Sequence, residues 1–180
     1  MNSLTLVRRI AARPSIVFDA LTAPEGIACW WGPDEGPVLV AETDVRVGGR
    51  FRVRFRMLDG SEHESAGQYL EVRRPERLVM SWRWLCGEED PNESRVEIDL
   101  HPTPEGTELT FTHSALFSEQ TRLSHERGWN GALDKLVRVF FGGSPSQTAT
   151  ALLKRERWTG SELDALVSEI EQARKESRKR

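Results

Sequence analysis

Arg50-Phe51-Arg52-Val53-Arg54-Phe55-Arg56-Met57 alternates cationic and apolar side chains without interruption. Successive side chains of a β-strand point to opposite faces, so this stretch predicts a strand with one apolar and one cationic face. A sheet made of such strands has a covered side and a wet side, which is the habit of antiparallel sheets. The same period of two returns at Leu78, Met80, Trp82 and Trp84, at Val96, Ile98 and Leu100, and at Leu109, Phe111 and His113.

Working outward, strands are expected over 38–43, 49–57, 63–72, 77–84, 95–100 and 107–113. Turn signals separate them: Gly48-Gly49, Asp59-Gly60, Arg74-Pro75-Glu76, Asp90-Pro91-Asn92 and Pro104-Glu105-Gly106. Connections this short give an antiparallel meander. Upstream, Leu4, Leu6, Arg8 and Ile10 alternate more loosely and predict a further strand at an edge of the sheet. Pro14 suits a first helical position, and Ile16, Val17, Ala20 and Leu21 follow at helical spacing. Thr22-Ala23-Pro24 ends that helix and opens a second, Glu25 to Trp31, closed by Gly32-Pro33.

Downstream, Ser118 to Phe141 carries Trp129, Leu133, Leu136, Val137 and Phe140 on one helical stripe, with Asp134, Lys135 and Arg138 assigned to the opposite side. A helix of roughly 20 residues is about 30 Å long and crosses a whole sheet. The expected fold is therefore α+β, a helix-grip arrangement. A curved antiparallel sheet wraps a long C-terminal helix, with two short helices after the first strand. Gly142-Gly143-Ser144-Pro145-Ser146 reads as a linker, which divides a domain of residues 1–141 from a helical extension of residues 142–180. In that extension Leu163, Leu166, Val167, Ile170 and Ala173 form a second apolar stripe behind an N-cap candidate, Ser161. Such a stripe needs cover, and a homodimer through this C-terminal helix is one expected way to supply it.

Composition narrows the function. With 25 basic and 28 acidic residues the net charge is −3, which argues against nucleic acid as a general partner. Eight basic and six acidic side chains lie from Gly142 onward, so the body is acidic and the tail mildly basic. No apolar run approaches the ~18 residues of a membrane span, and the N-terminal residues lack a signal-peptide pattern, so a cytoplasmic location is expected. Cys29 and Cys86 have no CxxC spacing and read as reduced thiols. The four histidines show no ligand-like spacing, and neither a metal nor a cofactor is expected. Nor is there a GxSxG elbow, a P-loop or a GxGxxG turn.

The ordered pieces Ala12-Arg13-Pro14 with Val17-Phe18-Asp19-Ala20-Leu21, Trp30-Trp31-Gly32-Pro33, Val47-Gly48-Gly49-Arg50-Phe51, Pro75-Glu76-Arg77-Leu78 before Trp82, Gly106-Thr107-Glu108-Leu109-Thr110, Thr112-His113-Ser114 and Gly128-Trp129 carry a resemblance. Over about residues 3 to 141 the chain resembles the START-like, or SRPBCC, superfamily. Within it the chain is similar to the branch named after the activator of the heat-shock-protein-ninety ATPase. The resemblance implies a cavity between sheet and long helix. Members of the superfamily bind lipids, polyketides or hormones there, some are polyketide cyclases, and one eukaryotic branch is a co-chaperone. It also implies that Trp30 and Trp31 lie near the cavity mouth. Fold alone does not choose among these functions.

The residues that would line such a cavity are Trp30, Trp31, Phe51, Val53, Phe55, Met80, Trp82, Trp84, Phe111, His113, Trp129 and Leu133. Each reads equally as core, but large rigid rings resist collapse and tend to frame a space. His113 shares parity with Leu109 and Phe111, so it should point inward. There it serves either as a ligand contact or acid–base group, or as a core histidine satisfied by backbone or by a helix residue such as Asn130. His63, His101 and His125 are expected to be exposed. A catalytic carboxylate would have to come from an inner strand face. Glu71 is the candidate if it shares a face with Tyr69, though Leu70 and Val72 compete for that face. The arginine row Arg50, Arg52, Arg54 and Arg56 reads as a solvated face balanced by Glu62, Glu64, Glu97 and Asp99, or as a partner surface.

Three functions stay open in that order. The first is a binding protein holding an apolar or aromatic small molecule such as a lipid or polyketide. The second is a cyclase- or hydrolase-type enzyme using His113. The third is a co-chaperone-like interaction module acting through the arginine row and the tail.

Overall fold

A computed structural model describes residues 2–85 and 93–142. Strand β1 (Asn2–Ile10) leads into helices α1 (Pro14–Thr22) and α2 (Pro24–Trp30). Strands β2 (Val38–Thr43), β3 (Arg50–Arg56), β4 (Glu62–Arg73), β5 (Arg77–Trp84), β6 (Ser94–Thr103) and β7 (Gly106–Leu116) follow, and α3 (Glu119–Phe140) closes the fold. The sheet has seven strands in the order β1-β7-β6-β5-β4-β3-β2, all antiparallel. The expected meander is therefore present, with β1 at one edge beside β7. The expected helical extension and the stripe proposed for dimer contact lie outside the described residues.

The two faces divide as the alternation requires. Phe51, Val53 and Phe55 are buried on the inner face with Tyr69, Leu78, Met80, Trp82, Val96, Ile98, Leu100, Leu109 and Phe111. On the outer face Arg56 bonds Glu62 at 2.8 Å, and Arg52 pairs with Glu64 and lies 3.8 Å from Glu42. Glu97 and Asp99 do not serve the arginine row as expected. Arg77, on the strand beside them, takes both and also bonds Glu71 at 3.2 Å. Each such pair contributes about 0–1 kcal/mol, so they select the wet face more than they stabilise it.

The ambiguous parity of β4 resolves through a bulge. Tyr69 opposes Met80 and Glu71 opposes Val79, so Leu70 is an extra residue and the alternation slips there. Tyr69 stays inward while Leu70 is exposed and Glu71 turns outward to Arg73 and Arg77. The inner-face carboxylate that catalysis would need is not supplied by Glu71.

Helix α3 begins at an N-cap, Ser118, whose hydroxyl accepts from the Thr121 N–H at 3.1 Å. His125, Trp129, Ala132, Leu133 and Leu136 are buried against the sheet. Arg8, at an inward position of β1, reaches Asp134 at 2.9 Å and Asn130 at 2.8 Å and ties that edge to the helix. Lys135 does not face solvent as its place in the stripe suggested. It is buried and donates through Nζ to the carbonyls of Trp31, at 3.2 Å, and Asp34. The segment after α2 folds over that flank of the helix, and its carbonyls replace the water the ammonium would otherwise need.

Two glycines of α3 show what the close approach demands. A Cβ at Gly131 would overlap the Pro33 carbonyl oxygen, whereas a Cβ at Gly128 meets nothing within 4 Å. Alanine is favoured over glycine in a helix interior by about 1 kcal/mol, but overpacking costs roughly 1–3 kcal/mol. Gly128→Ala is therefore expected to raise unfolding stability by about 0.5–1 kcal/mol, and Gly131→Ala to lower it by about 1–2 kcal/mol. Urea titration of the two variants checks this; equal shifts of the same sign would show that the loop does not press on the helix.

Candidate functional site

Between the inner face of the sheet and the N-terminal half of α3 lies a cavity of about 620 Å³. Pockets that enclose drug-sized molecules have volumes of roughly 300–1,000 Å³. One wall is aromatic, made of Phe55, Trp82 and Trp84 from the sheet with Trp31 from the end of α2 and Trp129 from α3. The other follows the helix flank through Ser118, Gln120, Thr121, Ser124, Arg127 and Gly128. Phe117, which is 69% exposed, stands at the rim.

The rings brace one another. Trp31 meets Trp129 edge-on at 5.3 Å between centroids, and Trp82 meets Trp84 edge-on at 4.5 Å. Phe111 packs on Trp129 at 4.5 Å from below. Edge-to-face pairs of this kind contribute about 0.5–1.5 kcal/mol each beyond their buried area. Gly32 adopts φ +93, a left-handed conformation that favours glycine, and a Cβ there would press on the Phe55 ring at 3.0 Å. The Trp31-Gly32-Pro33 turn can thus lie flat against the sheet and complete the wall.

Of the residues singled out from sequence, Trp31, Phe55, Trp82, Trp84 and Trp129 come together around this space. Trp30, Phe51, Val53, Met80, Phe111, His113 and Leu133 are buried in the packed core outside the cavity lining. Trp30 instead anchors the short helices, donating its indole N–H to the Ala20 carbonyl at 3.0 Å.

His113 is inward and fully buried, but its partner is not Asn130. The Trp129 indole N–H donates to His113 Nδ1 at 3.0 Å, which makes Nδ1 an acceptor and places the proton on Nε2. That proton goes to Ser94 Oγ at 2.8 Å, and the Ser94 hydroxyl donates onward to the Trp82 carbonyl at 3.0 Å. Both ring nitrogens are engaged. Burial, reinforced by nearby His125, pushes the pKa of His113 down to about 3, so the imidazole is neutral at ordinary pH.

The histidines that reach the cavity are ones for which the sequence predicted exposure. His125 is buried, lies edge-on to Trp82 at 4.9 Å and bonds the Thr121 carbonyl through Nδ1 at 2.9 Å. Its place four residues before Trp129 on the same helix stripe was the signal that would have found it. His63 is half-buried and stacks on Phe55 at 5.5 Å, its Nε2 3.2 Å from Ser61 Oγ. His101 is exposed, as expected. The Trp82 indole nitrogen is buried without a hydrogen-bond partner among the described residues. A buried donor left so costs about 1–3 kcal/mol. Cys29 is half-buried and bonds the Glu25 carbonyl, and Cys86 lies outside the described residues. Among the described residues no cluster of potential ligands is arranged for a metal ion, and no helix is long and apolar enough to cross a membrane.

A family model described as Activator of Hsp90 ATPase homolog 1-like protein matches residues 11–140. Among solved structures, a protein of Chromobacterium violaceum is 26% identical with a TM-score of 0.70, the match covering 80% of this chain and all of that one. A protein of Nitrosomonas europaea is also 26% identical, with a TM-score of 0.65 over 77% of this chain and 93% of its own. An AHSA1 protein of Silicibacter pomeroyi is 25% identical, with a TM-score of 0.67 over 86% of this chain and all of its own. No curated protein matches the chain.

The depressed pKa of His113 has a sign that can be read in solution. Below pH 6.5 the unfolded chain takes up a proton at this histidine and the folded chain does not. Its contribution is therefore complete above pH 6.5 and is lost as pH falls toward about 3, at up to about 1.4 kcal/mol per pH unit. The carboxylates held below their usual range by arginines, such as Glu71 and Glu119, weaken the fold only at lower pH. His113→Gln keeps a donor and an acceptor but cannot titrate. Denaturant unfolding at pH 7, 6 and 5 is expected to show a shallower pH slope in the variant, and an unchanged slope would place the titration elsewhere.

Proposed function

Because the chain belongs to the Activator of Hsp90 ATPase homolog 1-like family, we propose that it is a binding protein that holds an apolar or aromatic small molecule between the sheet and α3. The observation that carries this reading is the cavity itself, walled by Trp31, Phe55, Trp82, Trp84 and Trp129. A run of large apolar side chains ordinarily packs to the density of an organic crystal. Here the rings are held apart by one another and by the hydrogen bond from Trp129 to His113. The indole nitrogen of Trp82, in the same wall and without a partner among the described residues, is a further cost that packing alone does not account for.

Catalysis finds less support. The histidine best placed from sequence has both nitrogens bonded within the core, and no carboxylate lines the cavity among the described residues. The interaction-module reading draws on the arginine row, where Arg52 and Arg56 already have carboxylate partners in Glu64 and Glu62. The ligand is thus a passenger that the protein sequesters or delivers, and the rings supply area and shape instead of reactive groups.

Gly128 gives the test. Its Cα faces open space on the cavity side of α3, so a larger side chain there fills the cavity without displacing backbone. Native mass spectrometry of the protein from its own cells, followed by extraction, is expected to find an apolar compound at one per chain. Gly128→Leu is expected to lose that compound, and at least tenfold in affinity for it, while unfolding at the same or a higher temperature. A Gly128→Leu protein that retains the compound would remove the cavity from the proposal.

A further inference from the structure

The cavity is lopsided in charge as well as in shape. The chain carries 28 acidic residues against 25 basic ones. Yet every ionisable side chain lining the cavity among the described residues is basic: Arg127, His63 and His125. Arg127 projects from the polar wall in line with Gln120 and Ser124, at the i, i+4, i+7 spacing that puts three side chains on one helix flank. The carboxylates nearest to it in sequence on α3 are committed elsewhere. Glu119 and Glu126 both bond Arg122, each at 2.8 Å. Arg127 itself makes no ion pair or side-chain hydrogen bond among the described residues, as is true also of Arg13, Arg50, Arg54 and Arg83, but of these it is the one that lines the cavity.

We infer that the ligand is an aromatic acid, a planar ring system that enters against Trp31, Phe55 and Trp84 and carries a carboxylate or similar oxyanion toward Arg127, Ser124 and Gln120. This rests on the binding reading above and narrows its ligand. The chemistry is complementary on both walls. The aromatic wall accepts a ring by edge and face contact. Arg127, exposed with Ser124 and Gln120 at the open side of the cavity, attracts an anion there as a partly screened charge. Gln120 and Ser124 offer hydrogen bonds to the same group. A neutral lipid tail would fill the apolar volume but leave the polar rail and its charge unused. A cationic aromatic would meet Arg127 as a like charge.

A matched pair of fluorescent probes separates the charge from the ring: 8-anilino-1-naphthalenesulfonate, and N-phenyl-1-naphthylamine, which lacks only the sulfonate. The intact protein is expected to bind the sulfonate probe about fivefold more tightly at low salt, the size of a partly exposed charge pair, and to lose that preference at high salt. Arg127→Gln is expected to abolish the preference while leaving the neutral probe unaffected, and Arg127→Lys to retain part of it. Gly128→Leu should lower binding of both probes, which assigns the signal to the cavity. If the neutral probe binds as tightly as the anionic one, or Arg127→Gln weakens both alike, the acid preference is wrong and the binding reading stands. If neither probe binds the intact protein, the binding reading fails and takes this one with it.

Discussion

The indole of Trp129 sets the distance between the helix and the sheet. Its N–H is fixed to His113 Nδ1, and its ring packs at a tilt on Phe111 and in a T-shaped pair with Trp31. A tryptophan anchored on three sides cannot rotate away to let α3 settle, so the helix rides above the strands on a wedge of definite thickness. C-terminal to that wedge, Leu133 and Leu136 fill the gap completely. Toward the start of the helix the sheet offers Phe55, Trp82 and Trp84, while the helix offers short side chains such as Ser124 and Gly128, and the gap stays open. The cavity is the part of the helix–sheet interface where one partner is large and the other small.

That arrangement depends on a relay that contributes nothing to the cavity surface. Neutral His113 passes a hydrogen-bond direction from Trp129 through Ser94 to the Trp82 carbonyl, and so ties α3 to β7, β6 and β5 in turn. A charged imidazole in that position would need an acceptor at both nitrogens, and an indole supplies none. At the other side of the cavity Lys135 hooks the carbonyls of the segment after α2, and Gly131 lets that segment approach the helix backbone. The wall formed by Trp31, Gly32 and Pro33 is therefore held by the same helix that forms the opposite wall.

The fold was readable because the alternation is strong and the turns are short. Phe51 to Phe55 alone assigns the sheet its wet and dry sides, and the stripe through Trp129 and Leu133 supplies the covering helix. Phe55, Trp82, Trp84 and Trp129 of the aromatic wall were readable for the same reason, and Trp31 from its place before the Gly32-Pro33 turn. What escaped depended on neighbours that periodicity does not contain. Lys135 looks solvent-facing until the segment after α2 folds across it. Glu71 could not be assigned a face because a bulge at Leu70 breaks the period. His125 was assigned to the surface at the helix start, although it sits one turn from Trp129 on the buried stripe. His113 was correctly turned inward, yet its partners, Ser94 on the neighbouring strand and Trp129 across the interface, are set by register and helix placement.

Gly128 separates two properties that are usually bound together. In most cores the residues that set the volume of a space also support the fold, so changing one changes the other. Here the wedge, the relay and the lysine hook maintain the architecture, while a bare Cα facing open space leaves capacity to be set independently. One codon can then set how much of that space stays open. Descendants of this chain would be free to diverge in the size of that space while keeping the same scaffold.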